Sequence, residues 1–420
     1  MDLELVTIGN ELLLGFIVDS NSAFLGQALS GAGFRITRRT SVPDAPDAVR
    51  EAVAQALGRT RLVITTGGLG PTKDDLTKVA VAELFAAPLE FRDEIWRELT
   101  ERWARLGRTI AERNRCQAEV PRGAAVLPNR WGTAPGIWLA GEPGEVIMLP
   151  GVPLEMRNLM THEVLPRLAS RANGLVIRSL VVRTTGVPES VLADRIAEVE
   201  DSIAPLSLAY LPSVLGVDLR LTAWGLDPVQ ADRRLGQAAA RLEAELAAHA
   251  YARDEQDLAA VLLETCRSRG LTLAVAESCT GGMVGERITA IPGSSDVFLG
   301  GVVAYADAAK EALLDVPRRI LDAHGAVSAP AAEAMAEGAR NRFGASLAVS
   351  VTGVAGPGGG SDQKPVGLVW FGAAGPDGTE ATHFIFPGTR PEIRSRATQF
   401  ALWDLLRRAK SAGSARHAGC

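Results

Sequence analysis

Two glycine-framed runs, one in each half of the chain, place hydroxyl, amine and carboxylate side chains at spacings that suit hydrolytic chemistry. In the second half, Glu277-Ser278-Cys279-Thr280-Gly281-Gly282 is followed by Tyr305 and Lys310. A serine in a small-residue turn between a strand and a helix stands near open backbone N–H groups and the positive helix end, donors that suit an oxyanion. Such a nucleophile needs a base. The nearest histidines, His324 and His383, lie outside glycine-framed loops. Lys310 and Tyr305 are therefore the better partners, in a Ser–Lys variant of the triad arrangement. Cys279 is a rival nucleophile, because a thiol is intrinsically more reactive. The plainer alternative makes Ser278 a helix cap and Lys310 a solvated helix lysine.

In the first half, three segments carry polar groups among glycines. They are Gly9 to Gly15 with Asp19-Ser20-Asn21, Thr65 to Thr77, and Leu149 to Met156. Consecutive glycines after a buried strand leave N–H groups open to a phosphate. Gly67, Gly68, Gly70 and Lys73 are thus candidate phosphate contacts, with Asn21, Pro150 and Gly151 beside them. Asp74 and Asp75, joined by Glu11 and Asp19, are candidate ligands for a hard divalent cation (Mg, Mn or Co) bridging two phosphates. Lysine is scarce, with five among 44 basic residues. A desolvated lysine can act as a neutral base whereas arginine cannot, so lysines closing glycine-rich runs (Lys73, Lys364) or following a small-residue turn (Lys310) draw notice.

Elements that could hold these groups follow from the apolar pattern. A chain of 420 residues calls for two or three domains. Hydrophobic content of 47% with 22% charged residues is that of a globular protein. The net charge of −5 counts against a nucleic-acid partner. The acidic opening Met1-Asp2-Leu3-Glu4-Leu5 is unlike a secretory signal, and no apolar run approaches the roughly 20 residues of a membrane span. Four cysteines without CxxC spacing suggest neither a disulfide framework nor structural zinc, so a reducing cytoplasm is expected.

Residues 1–168 alternate strands (Leu3 to Ile8, Leu62 to Thr66, a hairpin from Gly136 to Leu149) with helices (Ser22 to Ala32, Ala48 to Leu57), which implies an α/β layered domain. Residues 172–250 form a small α+β unit, with strands at Leu175 to Thr184, Ser207 to Leu211 and Gly216 to Trp224. It carries 7 arginines, no lysine, 10 acidic residues and no GxxG loop, so an RNA clamp is not expected and assembly is the better use. A second α/β domain spans 255–412. Its strands are expected at Leu271 to Ala276, Val297 to Tyr305, Leu347 to Thr352 and Val366 to Ala373, with helices at Gly281 to Ile291 and Pro391 to Ala409. The last dozen residues are Ser/Ala/Gly-rich and expected to fray.

Taken together, Ala276-Glu277-Ser278-Cys279-Thr280-Gly281-Gly282, Val303-Ala304-Tyr305 with Lys310, Thr352-Gly353-Val354-Ala355-Gly356-Pro357 and Lys364-Pro365-Val366-Gly367 resemble the nicotinamide mononucleotide (NMN) deamidases of the CinA type. That resemblance implies hydrolysis of NMN to nicotinic acid mononucleotide and ammonia, without a metal. Carried over, Ser278 is the nucleophile, Lys310 the general base, and Tyr305 and Thr352 supporting groups. Thr280, Gly281, Gly282, Gly353 and Arg390 fall at the substrate. The three segments of the first half resemble the molybdopterin-binding fold at the front of CinA proteins, a three-layer α/β domain. There the resemblance implies metal-dependent cleavage of ADP-ribose to AMP and ribose 5-phosphate. The middle unit is similar to the KH-type module of that family, and the resemblance implies a homodimer.

Two other functions fit the same residues. One keeps the deamidase and makes the front domain a pterin or nucleotide binder without turnover. The other is a non-enzymatic adaptor in DNA uptake or repair, disfavoured by the acidic balance.

Overall fold

The computed structural model describes residues 1–105, 107–171 and 174–412, so most of the Ser/Ala/Gly-rich tail lies outside the described residues. By contact the chain divides into two units. One comprises Met1–Arg178 with Ala223–Arg233, the other Ser179–Thr222 with the chain from Arg234.

The first unit is built on β1 (Asp2–Ile8), β2 (Arg35–Val42), β3 (Leu62–Thr66), β4 (Leu89–Phe91), β5 (Glu119–Pro121), β6 (Ala125–Leu127), β7 (Gly136–Gly141) and β8 (Gly144–Leu149). Six of these form a sheet in the order β2-β1-β3-β8-β7-β6, and β4 pairs with β5 in a separate ribbon. β2, β1, β3 and β8 run parallel, while the hairpin partner β7 and then β6 are antiparallel. Successive strand side chains point to opposite faces, and both faces are covered. Val6, Val63, Val146 and Met148 pack against helices Pro46–Thr60 and Thr77–Leu84. Leu5, Leu62, Ile64 and Ile147 pack against Ser20–Gly31 and the helix starting at Pro153. Burial on two faces explains why β3 is a continuous apolar run rather than an alternating one.

The middle segment holds β9 (Val176–Thr184), β10 (Ser207–Pro212), β11 (Val217–Leu226) and β12 (Ala250–Arg253), in the order β10-β11-β9-β12. Helices Glu189–Ser202 and Pro228–Leu246 accompany this sheet.

In the second unit, β13 (Leu273–Glu277), β14 (Phe298–Val303), β15 (Leu347–Gly353), β16 (Leu368–Gly375) and β17 (Gly378–Ile385) form a sheet in the order β14-β13-β15-β16-β17. The first three are parallel, and β16 and β17 antiparallel. Leu273, Val275, Val349 and Val351 face helices Leu258–Arg269 and Arg390–Ser411. The other face is lined by Ala274, Ala276 and Ala348, against which Ala329–Phe343 packs. That helix lies so close that a Cβ on Gly372 would meet Ala332 O at 2.1 Å. The helix expected from Gly281 begins only at Met283, because Gly281 and Gly282 have φ of +60° and +99°. The terminal helix is started by a capping box of Thr389 and Glu392. Farther along it, Trp403 Nε1 donates to Ala248 O at 2.8 Å and His249 stacks on the indole, with centroids 5.4 Å apart. No described helix is long and apolar enough to cross a membrane.

Candidate functional site

The carboxyl ends of the three parallel strands in the second unit converge on Ser278. In the ladder, Glu277 lies opposite Val303 on one side and Val351 on the other. Ser278 N then donates to Val351 O and Ala304 N to Glu277 O, both at 2.8 Å. The register thus sets Ser278 between Ala304-Tyr305 and Thr352. Lys310 is 1% exposed, among the largest fully buried side chains, which excludes a solvated helix lysine. Its Nζ donates to Tyr305 O at 3.1 Å and lies 3.5 Å from Asp307 Oδ1. The amine is thus turned back toward the strand ends. Ser278 and Lys310 are not hydrogen-bonded to each other in this structure; such contacts often tighten only with substrate. Thr352 Oγ1 donates to Ala326 O, and Thr280 Oγ1 is buried without a partner. Gly353 packs tightly, since a Cβ there would meet Leu368 O at 2.6 Å.

One expectation needs correcting. The N–H groups at the start of the following helix are not open to an oxyanion. The Glu277 carboxylate, 1% exposed, accepts from Gly282 N (2.9 Å), Val284 N (3.1 Å) and Gly285 N (2.8 Å). Glu277 therefore caps the helix and Ser278 does not. The donor left at the turn is the amide of Thr280, which donates to no acceptor among the described residues, while the Cys279 N–H faces its own thiol. Arg394 orients that amide: its Nε donates to Cys279 O (3.1 Å) and its Nη2 to Thr280 O (2.6 Å). In a trans peptide the N–H points opposite its carbonyl, so holding Cys279 O on one side turns the Thr280 N–H to the other. Arg390, one turn earlier, donates to Gly356 O (2.8 Å) and Tyr305 Oη (2.9 Å). Sequence reasoning missed Arg394, although its i,i+4 spacing from Arg390 on a capped helix was a usable signal. The structure also weighs on the nucleophile. Burial pushes the Cys279 thiol up to about 12, so it stays protonated at neutral pH.

In the first unit, β3 runs into the glycine loop. A Cβ on Gly67 (φ +109°) would strike Ile8 O at 2.2 Å, and one on Gly68 (φ +66°) would strike Thr77 Oγ1 at 2.1 Å, so only glycine fits. Thr77 Oγ1 donates back to Gly67 O. Asn21 Nδ2 donates to Thr66 Oγ1 (3.1 Å) and Gly151 O (2.8 Å), and Thr66 Oγ1 donates to Pro150 O. Asn21, Gly67, Pro150 and Gly151 are therefore brought together, with the buried Asn21 Oδ1 left unpartnered. Gly68 and Gly70 continue the same loop, and Lys73 lies exposed on it.

The proposed four-carboxylate cation site does not form. Asp19 is an N-cap, accepting from Ser22 N and Oγ. Asp75 accepts from Thr72 N and Oγ1 and lies against Gly70. Glu11 and Asp74 remain without such bonds, on separate segments. Among the described residues no group of three or more His, Cys, Asp or Glu side chains is placed to hold a metal. Two unlooked-for titratable groups lie in this unit. Lys78 is buried with its Nζ on Cys116 O, and burial holds its pKa below the ordinary value. Burial raises Glu155, whose carboxyl receives Asn129 Nδ2 at 2.5 Å.

Both units are layered α/β sheets whose candidate residues lie at the carboxyl ends of parallel strands. Three family models cover nearly the whole chain. A probable molybdopterin binding domain matches residues 4–170, the damage-inducible protein CinA KH domain 179–252, and the CinA C-terminal domain 255–409. A CinA-like protein of Gemmatimonas aurantiaca is 50% identical over 413 residues, covering 97% of this chain and 96% of the relative. A putative competence-damage inducible protein of Symbiobacterium thermophilum is 42% identical, covering 95% and 96%. A solved CinA protein of Thermoplasma acidophilum is 31% identical and aligns with a TM-score of 0.37, covering 40% of this chain and 97% of its own. The chain belongs to the CinA family.

Proposed function

We propose that the chain is a cytoplasmic, homodimeric pyridine-nucleotide salvage hydrolase, with an NMN deamidase in the second unit and an ADP-ribose hydrolase in the first. The observation that carries the deamidase is the buried Lys310 amine turned onto Tyr305 O, on the strand end that borders Ser278, with the Thr280 amide unengaged. Lys310 Nζ takes the Ser278 proton while Oγ attacks the amide carbon of NMN. The oxyanion forms against the Thr280 amide held by Arg394. Collapse expels ammonia with the proton returned by Lys310, and water then releases nicotinic acid mononucleotide from Ser278. The test is ammonia release from NMN by the full chain. Absence of release from wild type, or equal release by Ser278→Ala, sinks this reading.

For the first unit, the glycine cradle of Gly68 to Gly70 suits a diphosphate, Gly67 N being engaged by Leu149 O. Since the carboxylates are dispersed, a divalent cation there would draw its ligands mainly from the substrate and water. The same dispersion favours a second reading, in which this unit binds nucleotides without turnover. AMP formation from ADP-ribose with Mg, Mn or Co decides between them.

A further inference from the structure

Beside the loop Asn129–Pro135 lies a cavity of 240 Å³ lined by Arg102, Trp103, Arg108, Arg130, Trp131 and Thr133, with Gly132 between. Three guanidinium groups and two indoles in one small concavity is an unusual composition for a purely structural cluster, which normally pairs its cations. Arg102 is paired, with Glu98 at 3.3 Å and with Gly132 O. Arg108 and Arg130 make no side-chain hydrogen bond or ion pair among the described residues. Trp131 is 36% exposed, and His162 stacks on it, with centroids 5.1 Å apart and planes at 19°.

The loop is pinned in place. Trp131 N donates to Asn129 Oδ1, while Asn129 Nδ2 donates to Ala134 O and Glu155 Oε2. The Glu155 carboxyl occupies the space where a Cβ on Gly132 would sit, 1.8 Å away. Glu155 stands on the helix that starts at Pro153, just past Gly151. A Cβ on Gly151 would in turn touch Gly67 Cα at 3.4 Å. The cavity is thereby tied, through two short rigid steps, to the glycine cradle.

We propose that this cavity binds the purine base and adjoining phosphate of a nucleoside phosphate. The indoles offer stacking surface to a base, and Arg108 and Arg130 offer unpaired charge to a phosphate. The inference deepens the first-unit reading above and rests on it for the choice of ligand.

Calorimetric titration of the full chain with AMP, and separately with ribose 5-phosphate, tests it without requiring turnover. Wild type binds AMP; Trp131→Ala weakens AMP roughly tenfold and leaves ribose 5-phosphate unchanged. Arg108→Glu with Arg130→Glu, both exposed positions, abolishes AMP binding. No AMP binding by wild type, or equal AMP binding by all variants, overturns the proposal, as does an equal loss for ribose 5-phosphate in Trp131→Ala. ADP-ribose turnover with unaltered KM in these variants leaves the hydrolase reading standing and removes the cavity. Variant-sensitive AMP binding with intact ADP-ribose does the reverse.

Discussion

The two clefts occupy the same place in their sheets yet are furnished differently. In the second unit, side chains would supply the reactive groups of the proposed deamidase: a hydroxyl on Ser278 and an amine on the buried Lys310, near turns braced by Arg390 and Arg394. In the first unit the backbone supplies the surface. Gly68 and Gly70 open it, Gly67 N being spent on Leu149 O (3.1 Å), and the nearby side chains of Asp75 and Thr77 are spent holding the loop in shape. On the proposed reading the contrast means that one site carries its own nucleophile, while the other must receive reactive groups with its ligands. Damage should accordingly be all-or-none in one and conformational in the other.

The largest effect is expected from Ser278→Ala, which lowers ammonia release from NMN by about 10³-fold or more and leaves AMP formation from ADP-ribose untouched. An equal fall in both would erase the separation of the sites. Next comes Arg394→Ala. Releasing the Cys279 carbonyl misaims the Thr280 N–H and lowers kcat by about 10²-fold; a change confined to KM would instead make Arg394 a binding residue. Gly68→Ala, which puts a methyl onto Thr77 Oγ1 at a left-handed φ, destabilises the first unit by about 1–3 kcal/mol in urea unfolding. It spares the deamidase. Cys279→Ala retains deamidase activity within about threefold, because the protonated thiol is no competitor; its loss would move the nucleophile by one residue.

The smallest effect is a pH slope. Burial raises the Glu155 pKa above its ordinary value, so the folded state holds the proton where the unfolded chain has released it. Its contribution is full below the unfolded pKa and fades as pH rises through the folded one. Glu155→Gln should flatten that decline in unfolding midpoints measured between about pH 4 and pH 7.

Much of this architecture was legible because β1, β3, β13 and β15 are apolar runs ending at glycines or small polar turns. Helix Ala329–Phe343 escaped notice since its buried face is Ala331, Ala332, Met335, Ala336 and Ala339, with little hydropathy contrast against an alanine-rich helix. The edge strand Arg35–Val42 is mostly exposed and charged, and so carries no strand signature. At the candidate sites, the placing of Ser278 just past a strand and of the glycines in the loop after β3 was legible from type and spacing. The carboxylates were misassigned because residue type cannot separate a ligand from a cap. Asp19 stands three before Ser22 and Asp75 three after Thr72, spacings that favour local side-chain-to-backbone bonds.

The contact of Trp403 with Ala248 and His249 has a practical corollary. Arg390 and Trp403 ride on one helix, about 20 Å apart at 1.5 Å per residue. Severing the chain near residue 255 to isolate the deamidase half strips the cover from a tryptophan and orphans its indole N–H. A fragment made that way carries a sticky spot on the same rod that bears the site's arginines, whereas one begun at residue 179 keeps it covered.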